Sequence, residues 1–392
     1  MNIKETAREL CALSGPSGFE EAVSLRAKEL LEPLMDEIFT DSLGNVLALR
    51  RCGKEGARQL LLDAHLDEVG FIVTEVTEGF LKFAALGGLD ARTLPGREVR
   101  VLAPEGDLYG VVACLPPHVL TAEQKEQVVE IKNLFIDLGL TQEEAEKRIP
   151  VGTPGVCEGS MFDLQGDNFV SKALDDRLCA AVVLQVMENL KGEDLPCDIA
   201  VMLSVQEEMG MRGAAPGAFR LAPDWCIAVD VTHARTPDAP KGETFEAGKG
   251  CTVGVGPNAN RALTAAVMEA AKAKGIPFSV EVMPRSSGTN GWAIQITRQG
   301  VATAIVSVPV KYMHSPVETA SLTDAEAAAD LITAFIRGGW LHGDGDCEGT
   351  LRHERRLRHR GGRAGSYRGA GAALRRRDRD RRHGQSAGLR QG

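Results

Sequence analysis

Five acids and two histidines in this 392-residue chain sit where apolar runs stop. His65 closes the run QLLLDAH, and Asp67 follows two residues on. Glu207 and Glu208 stand side by side after DIAVMLSV, Asp230 ends DWCIAVD, and His314 follows ATAIVSVPVKYM. Asp175, in ALDDR, opens a helical pattern. Mixed carboxylate and imidazole donors suit zinc, cobalt or manganese rather than a soft sulfur site. A divalent cation also relieves the cost of clustering buried acids. One of the two adjacent glutamates can then bind metal. The other, held just off it, can take a proton from an attacking water if burial raises its pKa toward neutrality. That chemistry is water-activated hydrolysis of an acyl bond.

Taken singly, each residue has an ordinary reading. A histidine after a strand is more often a hydrogen-bonded surface residue than a ligand. An aspartate opening a helix is commonly a cap. Adjacent glutamates are usually a solvated turn. The concentration carries the argument: five carboxylates, and two of the four histidines that precede Leu341, share one kind of position. Consecutive strand residues point to opposite faces. Glu207 and Glu208 can therefore serve one site only where the pleat ends, and Met209 and Gly210 follow at once as the place for it to stop. Spacing does not say which glutamate binds and which abstracts, nor whether Asp175 or Asp176 enters the site.

Such a set needs strands whose C-terminal ends meet, because ligands of open α/β sheets gather there. RQLLLDAH, DIAVMLSV, DWCIAVDV, FSVEVMP and ATAIVSVPV read as strands. Between them, ALDDRLCAAVVLQVMENL has Leu174, Leu178, Val182, Val186 and Leu190 on one helical stripe. NRALTAAVMEAAKAKG reads as a helix ending at Gly275, and TDAEAAADLITAFIRGG as a closing helix capped by Thr323. The fold class is α/β, a mostly parallel sheet flanked by helices. From about residue 71 to 157 the character changes to short alternating strands with Gly turns, a small β-rich domain. TAEQKEQVVEIKNLF and TQEEAEKRI add helical segments there, the first opening on a capping-box-like T-x-x-Q. The α/β domain is therefore discontinuous, residues 1–70 and 160–345, around an insert at 71–159.

Composition narrows the partners. Aromatics are only 5% of the chain, which disfavours a stacking platform for sugars or single strands. Nine cysteines, odd in number and without a C-x-x-C pair, argue against a disulfide framework and for a reducing cytoplasmic setting. The charged, helical MNIKETAREL is unlike a signal peptide, and no apolar run approaches a membrane span. From Glu348 onward 14 arginines face 4 acids, so the remaining 347 residues carry a net charge of −19. An acidic body disfavours nucleic acid. The Arg- and Gly-rich tail, residues 346–392, has little to bury and reads as disordered or as out-of-frame translation.

Six stretches occur in one order: DAHLDEVGF, FIDLGLTQEEAE, KALDDRLCAAV, VQEEMGMRGA, AVDVTHARTPD and YMHSPVE. In combination they resemble the metallo-aminopeptidases that assemble into tetrahedral dodecamers, the family containing glutamyl aminopeptidase. The resemblance implies two divalent metal ions, zinc or cobalt before manganese. His65 and Asp230 would hold one, Glu208 and His314 the other, and Asp175 rather than Asp176 would bridge them. Glu207 would be the general base, and Asp67 would orient the His65 imidazole. It also implies that the insert is β-barrel-like and builds dimers, that dimers form a homo-oligomeric dodecamer, and that the substrate is a peptide. One departure stands out: Asn290, in SSGTNGWAI, occupies a position where the family pattern has aspartate.

The leading expectation is thus a di-metal aminopeptidase. A metal-dependent deacylase of N-acyl amino acids uses the same chemistry on a blocked substrate. A glycosidase working through a carboxylate pair leaves His65 and His314 without a purpose. A non-catalytic assembly protein leaves the whole ligand set without one.

Overall fold

The computed structural model describes residues 1–338 apart from Asp238. Segment 346–392, the Arg-rich tail, lies outside the described residues. A large sheet runs in the order Glu37–Thr40, Val46–Arg50, Asp198–Ser204, Gln59–His65, Trp225–His233, Ala302–Lys311, Glu318–Ser321, Asn168–Ser171, Phe162–Asp163. Cys251–Val255 joins it through Ala302–Lys311 and pairs in turn with Phe278–Val282. Parallel pairing joins the four central strands, from Asp198–Ser204 to Ala302–Lys311, and antiparallel strands extend them on both sides.

The apolar runs that predicted these strands are buried on both faces. Leu60, Leu62 and Ala64 pack into the larger core with the helices Ile3–Ala12, Leu174–Asn189, Arg261–Lys274 and Leu322–Arg337. Leu61, on the opposite face, packs with Ala214 and Ala218 of the helix Ala214–Leu221. Register does the rest. His65 lies opposite Ser204, and Asp63 lies opposite Ala228, so Asp230 arrives level with His65 at one edge of the sheet.

Six strands, Gly70–Thr77, Phe80–Leu86, Glu98–Val101, Leu108–Ala113, Phe135–Asp137 and Pro154–Cys157, close into a barrel with its own core around Phe71, Leu81, Val99 and Ile136. The barrel meets the site at one loop. A Cβ on Gly88 would come within 2.5 Å of Nδ1 of His314, so only glycine lets this loop approach.

Two local expectations change. The stretch TAEQKEQVVEIKNLF forms no continuous helix but a short one, Ala122–Lys125, and a 3-10 turn, Ile131–Asn133. Val128 between them is exposed, so the segment has no continuous apolar face to bury. A capping box is formed by Thr141 and Glu144, which open the helix Gln142–Arg148. The last helix starts at Leu322, with Ser321 rather than Thr323 at its cap, and the Thr323 hydroxyl donates to Asp167 at 3.0 Å. Among the described residues no helix is long and apolar enough to cross a membrane, and the described cysteines are free.

Candidate active site

The edge of the sheet gathers all seven residues. His65 ends its strand, Asp230 sits three residues before the end of the neighbouring strand Trp225–His233 and not at its end as the sequence suggested, and Asp175 is buried at the start of the helix Leu174–Asn189. Asp175 faces both imidazoles: Oδ1 lies 3.1 Å from Nε2 of His65, and Oδ2 lies 3.3 Å from Nε2 of His314. His314 Nε2 is also 3.2 Å from Oε1 of Glu208. Two groups of donors result, His65 with Asp175 and Asp230, and Asp175 with Glu208 and His314; within each, the ligand atoms lie within 4.8 Å of one another. The pair Asp175 and Asp176, which spacing left open, separates here. Asp176 turns away and accepts the backbone N–H of His65 at 3.1 Å.

The two glutamates also part company. Asp198–Ser204 ends before them, and Gln206 adopts φ +56°, a left-handed conformation unfavourable for a side chain with a Cβ. The pleat therefore breaks ahead of the pair and not at Met209 and Gly210 as the sequence suggested. Glu207 belongs to neither donor group, is 9% exposed, and its Oε1 has no hydrogen-bond partner. Burial, with Glu208, Asp175 and Asp67 nearby, pushes its pKa up to about 8 against the pull of His65. Asp67 is the hub beneath. It accepts the backbone N–H groups of Glu207 and Glu208 at 3.0 and 3.1 Å and faces Nδ1 of His65 at 3.3 Å. Burial opposes its charge, but the hydrogen bonds from His65 and Ser17 hold its pKa below the ordinary value.

Charge bookkeeping favours cations at this edge. Burial drives the pKa values of Glu208 and Asp230 upward, and neighbouring acids add to it. His314 is carried up to about 11 by Asp175 and Glu208, although burial works the other way. In short, protons sit on the histidines because carboxylates surround them. Divalent ions held by these oxygen and imidazole donors would supply that positive charge instead.

Sequence reasoning gave no role to Glu318, although it ends the stretch YMHSPVE. It is 2% exposed and accepts the N–H of Asp175 at 3.0 Å and that of His314 at 2.7 Å. His314 has φ +61°, so this bond holds a strained backbone in place. An acid four residues after a candidate ligand, at the start of a buried strand, was the available signal. Glu68 was passed over as well. It bonds Lys172 at 2.7 Å and Arg177 at 3.1 Å, and Arg177 reaches the carbonyl of Leu66, tying the loop after His65 to the helix Leu174–Asn189. His118 and His233, the other two early histidines, are exposed and outside both donor groups.

Asn290 lies below the site and not beside it. Its Nδ2 donates to Ser204 Oγ at 2.7 Å, and its Oδ1 has no partner. Asp63 neighbours it, 1% exposed, also with an unpartnered Oδ1. Burial raises Asp63 from 3.8 to about 7, and contacts with Asn290 and Ser204 pull it back only in part. A proton on Asp63 gives the two lone oxygens a reason to coexist. Asp63→Asn is therefore expected to raise stability at pH 9 by a few kcal/mol, on the order of what such a shift implies. The gain shrinks as the pH falls toward 3.8, below which folded and unfolded forms are both protonated. Asn290→Asp, which adds a second buried acid, is expected to do the reverse. Thermal melts of both variants across pH check the pair.

Fold and site now meet what is known of other proteins. A TET aminopeptidase from a marine sediment Thaumarchaeota archaeon aligns at TM-score 0.81 and 33% identity, covering 85% of this chain and 96% of its own. The TET1 peptidase of Pyrococcus horikoshii, which can assemble into a tetrahedron or a large octahedral shell, aligns at 0.76 and 29% identity over 86% and 99%. The lysyl aminopeptidase of Pyrococcus furiosus is 35% identical over 338 residues, 85% of this chain and 96% of that one. These relatives and the family they share make the present chain a metallo-aminopeptidase, a hydrolase of peptide bonds. Residues 44–331 match the M42 glutamyl aminopeptidase family, and the chain belongs to it.

Proposed function

We propose that this protein removes N-terminal residues from peptides with two divalent metal ions and Glu207 as general base. The observation that carries the reading is Asp175, which offers one oxygen to each of two donor groups while Glu207 remains outside both. His65 and Asp230 would hold one ion, Glu208 and His314 the other, with Asp175 shared; zinc or cobalt suits the donors best, and manganese also fits. When bound, such ions polarise a scissile carbonyl and acidify water. The residues of the chain do the rest. Glu207 takes a proton from the attacking water and can return it to the leaving amine. Asp67 fixes the His65 ring through Nδ1 and holds the backbone on which Glu207 and Glu208 stand. The cleft beside Asp175, Glu208 and His314 is walled by Val69, Leu89 and Pro316 together with the polar Lys172 and Ser315.

The same reading assigns catalysis to a discontinuous domain, residues 1–70 and 160–345, and dimer contacts to the insert at 71–159. Assembly of dimers into a dodecamer would enclose the sites and admit peptides rather than folded proteins. The setting is cytoplasmic. The deacylase alternative shares every residue and differs only in substrate. Enzyme reconstituted with zinc, cobalt or manganese is expected to cleave aminoacyl anilides with a free amino group and to spare their N-acylated counterparts. Cleavage of the blocked series alone would transfer the reading to the deacylase.

A further inference from the structure

Glu207 and Glu208 stand on a backbone that no strand holds. The preceding strand has ended at Ser204, and the left-handed Gln206 needs something to keep it there. Three successive amides supply the answer, each bonded to a buried carboxylate. Gln206 donates to Oε1 of Glu20 at 3.1 Å, Glu207 to Oδ1 of Asp67 at 3.0 Å, and Glu208 to Oδ2 of Asp67 at 3.1 Å.

Both carboxylates are tied to one loop near the N-terminus, residues 16–20. Ser17 Oγ donates to Oδ2 of Asp67 at 2.5 Å, and the Gly18 amide donates to Oε1 of Glu20 at 2.7 Å. The loop is itself anchored beside the site, since the Glu68 N–H donates to the Gly15 carbonyl at 3.0 Å and the Gly15 N–H donates to the Glu68 carboxylate at 3.1 Å. Ser17 and Glu20 are each 4% exposed. Glu20 precedes the helix Glu21–Leu31, yet its side chain makes no capping bond to that helix. Its carboxylate has no salt-bridge partner among the described residues either. The bonds it makes are to the Gly18 and Gln206 amides.

We propose that loop 16–20 is a positioning element for the general base, with Glu20 and Ser17 setting the geometry of residues 206–208. This rests on the reading of Glu207 as base. Glu20 works as an acceptor at Oε1, so a glutamine there keeps the function and an alanine loses it. Ser17 works one step further back, by fixing the carboxylate that receives the next two amides.

The test uses the full-length enzyme, loaded with zinc, in four variants: Glu20→Ala, Glu20→Gln, Ser17→Ala and Glu207→Gln. Glu20→Ala is expected to lower kcat about 10- to 100-fold, the usual effect of removing a supporting hydrogen bond at a metal site. KM stays as in the wild type when zinc is saturating, because Glu20 touches no donor of either metal group. Hydrogen exchange of the amides 206–208 speeds up. Glu20→Gln restores both the rate and the protection. Ser17→Ala speeds exchange at 207 and 208 and lowers kcat by less. A Glu20→Ala enzyme with normal kcat and protected amides would overturn the proposal, as would a Glu20→Gln enzyme impaired as badly as the alanine variant. Should Glu20→Ala not fold, unchanged exchange in Ser17→Ala overturns it by itself. Failure of the underlying reading looks different: Glu207→Gln stays active, while amide exchange still decides the role of the loop.

Discussion

Glu207→Gln is expected to keep its divalent cations and lose about 10²- to 10⁴-fold in kcat, the range that a positioned general base contributes. The side chain lies in neither donor group, so its replacement leaves the ligands in place. The bond that holds residue 207 to Asp67 comes from the backbone and survives the change. Glutamine has the shape of glutamate but cannot accept the proton. Metal content and KM should therefore stay close to the wild type while turnover collapses. A variant that keeps a near-normal rate on an aminoacyl anilide removes Glu207 from the reaction.

The pH profile gives the same residue a second signature. Burial first, then Glu208, Asp175 and Asp67, lifts Glu207 to about 8 in the protein alone. Bound cations would lower that value, because positive charge favours the carboxylate. A base must be unprotonated to act, so kcat/KM should climb with pH as Glu207 ionises and level off above its pKa. The climb should be absent from the residual activity of the Gln variant.

Much of this arrangement was legible because burial leaves periodic marks. QLLLDAH and DIAVMLSV are continuous apolar runs, as strands covered on both faces must be, and the residues that end them gather at one edge. The helix beginning at Leu174 was equally plain, though its single expected stripe proved too narrow. Arg177, Cys179 and Val183 are as buried as Leu178, since other helices cover the opposite side. What stayed hidden was long-range hydrogen bonding. Glu318 and Glu20 hold the site through backbone amides and Ser17 through the Asp67 carboxylate, and no spacing rule links residue 20 to residue 206. Break points of the backbone were hidden for a related reason. Gln206 takes positive φ without being glycine, so its conformation is imposed by a partner that the local sequence does not name. The barrel helix expected from TAEQKEQVVEIKNLF failed in the opposite direction, since local propensity was present and a surface to pack against was not.

Stripping the cations with a chelator is expected to lower Tm by about 10 °C at pH 8 and by much less at pH 5. At a thousandfold excess over Kd, a ligand stabilises by about 4 kcal/mol, and each kcal/mol is worth about 2–4 °C in a large domain. Two effects weaken the response at low pH. His65 and His314 carry protons in the metal-free protein, the first held by Asp175 and Asp67 and the second by Asp175 and Glu208, and expelling them costs more as the pH falls. The acids also matter less. Burial lifts Asp230 well above its ordinary 3.8, with Asp176, Asp175 and Glu207 adding to it and His65 pulling back. Such a carboxyl is neutral in both folded and unfolded chains at low pH. As pH passes the unfolded value, only the unfolded chain ionises freely, and the metal-free fold loses stability until the folded pKa is reached. Asp230→Asn separates the two contributions. Chelated, the variant should melt above the chelated wild type at pH 8 and level with it at pH 4, because one buried charge is gone. Loaded with zinc at pH 8, it should melt below the loaded wild type, because a ligand is gone. That crossing, read from four melting curves, is the signature of acids clustered to hold cations. Acids that stabilise the fold by themselves would leave Asp230→Asn the less stable protein with or without metal.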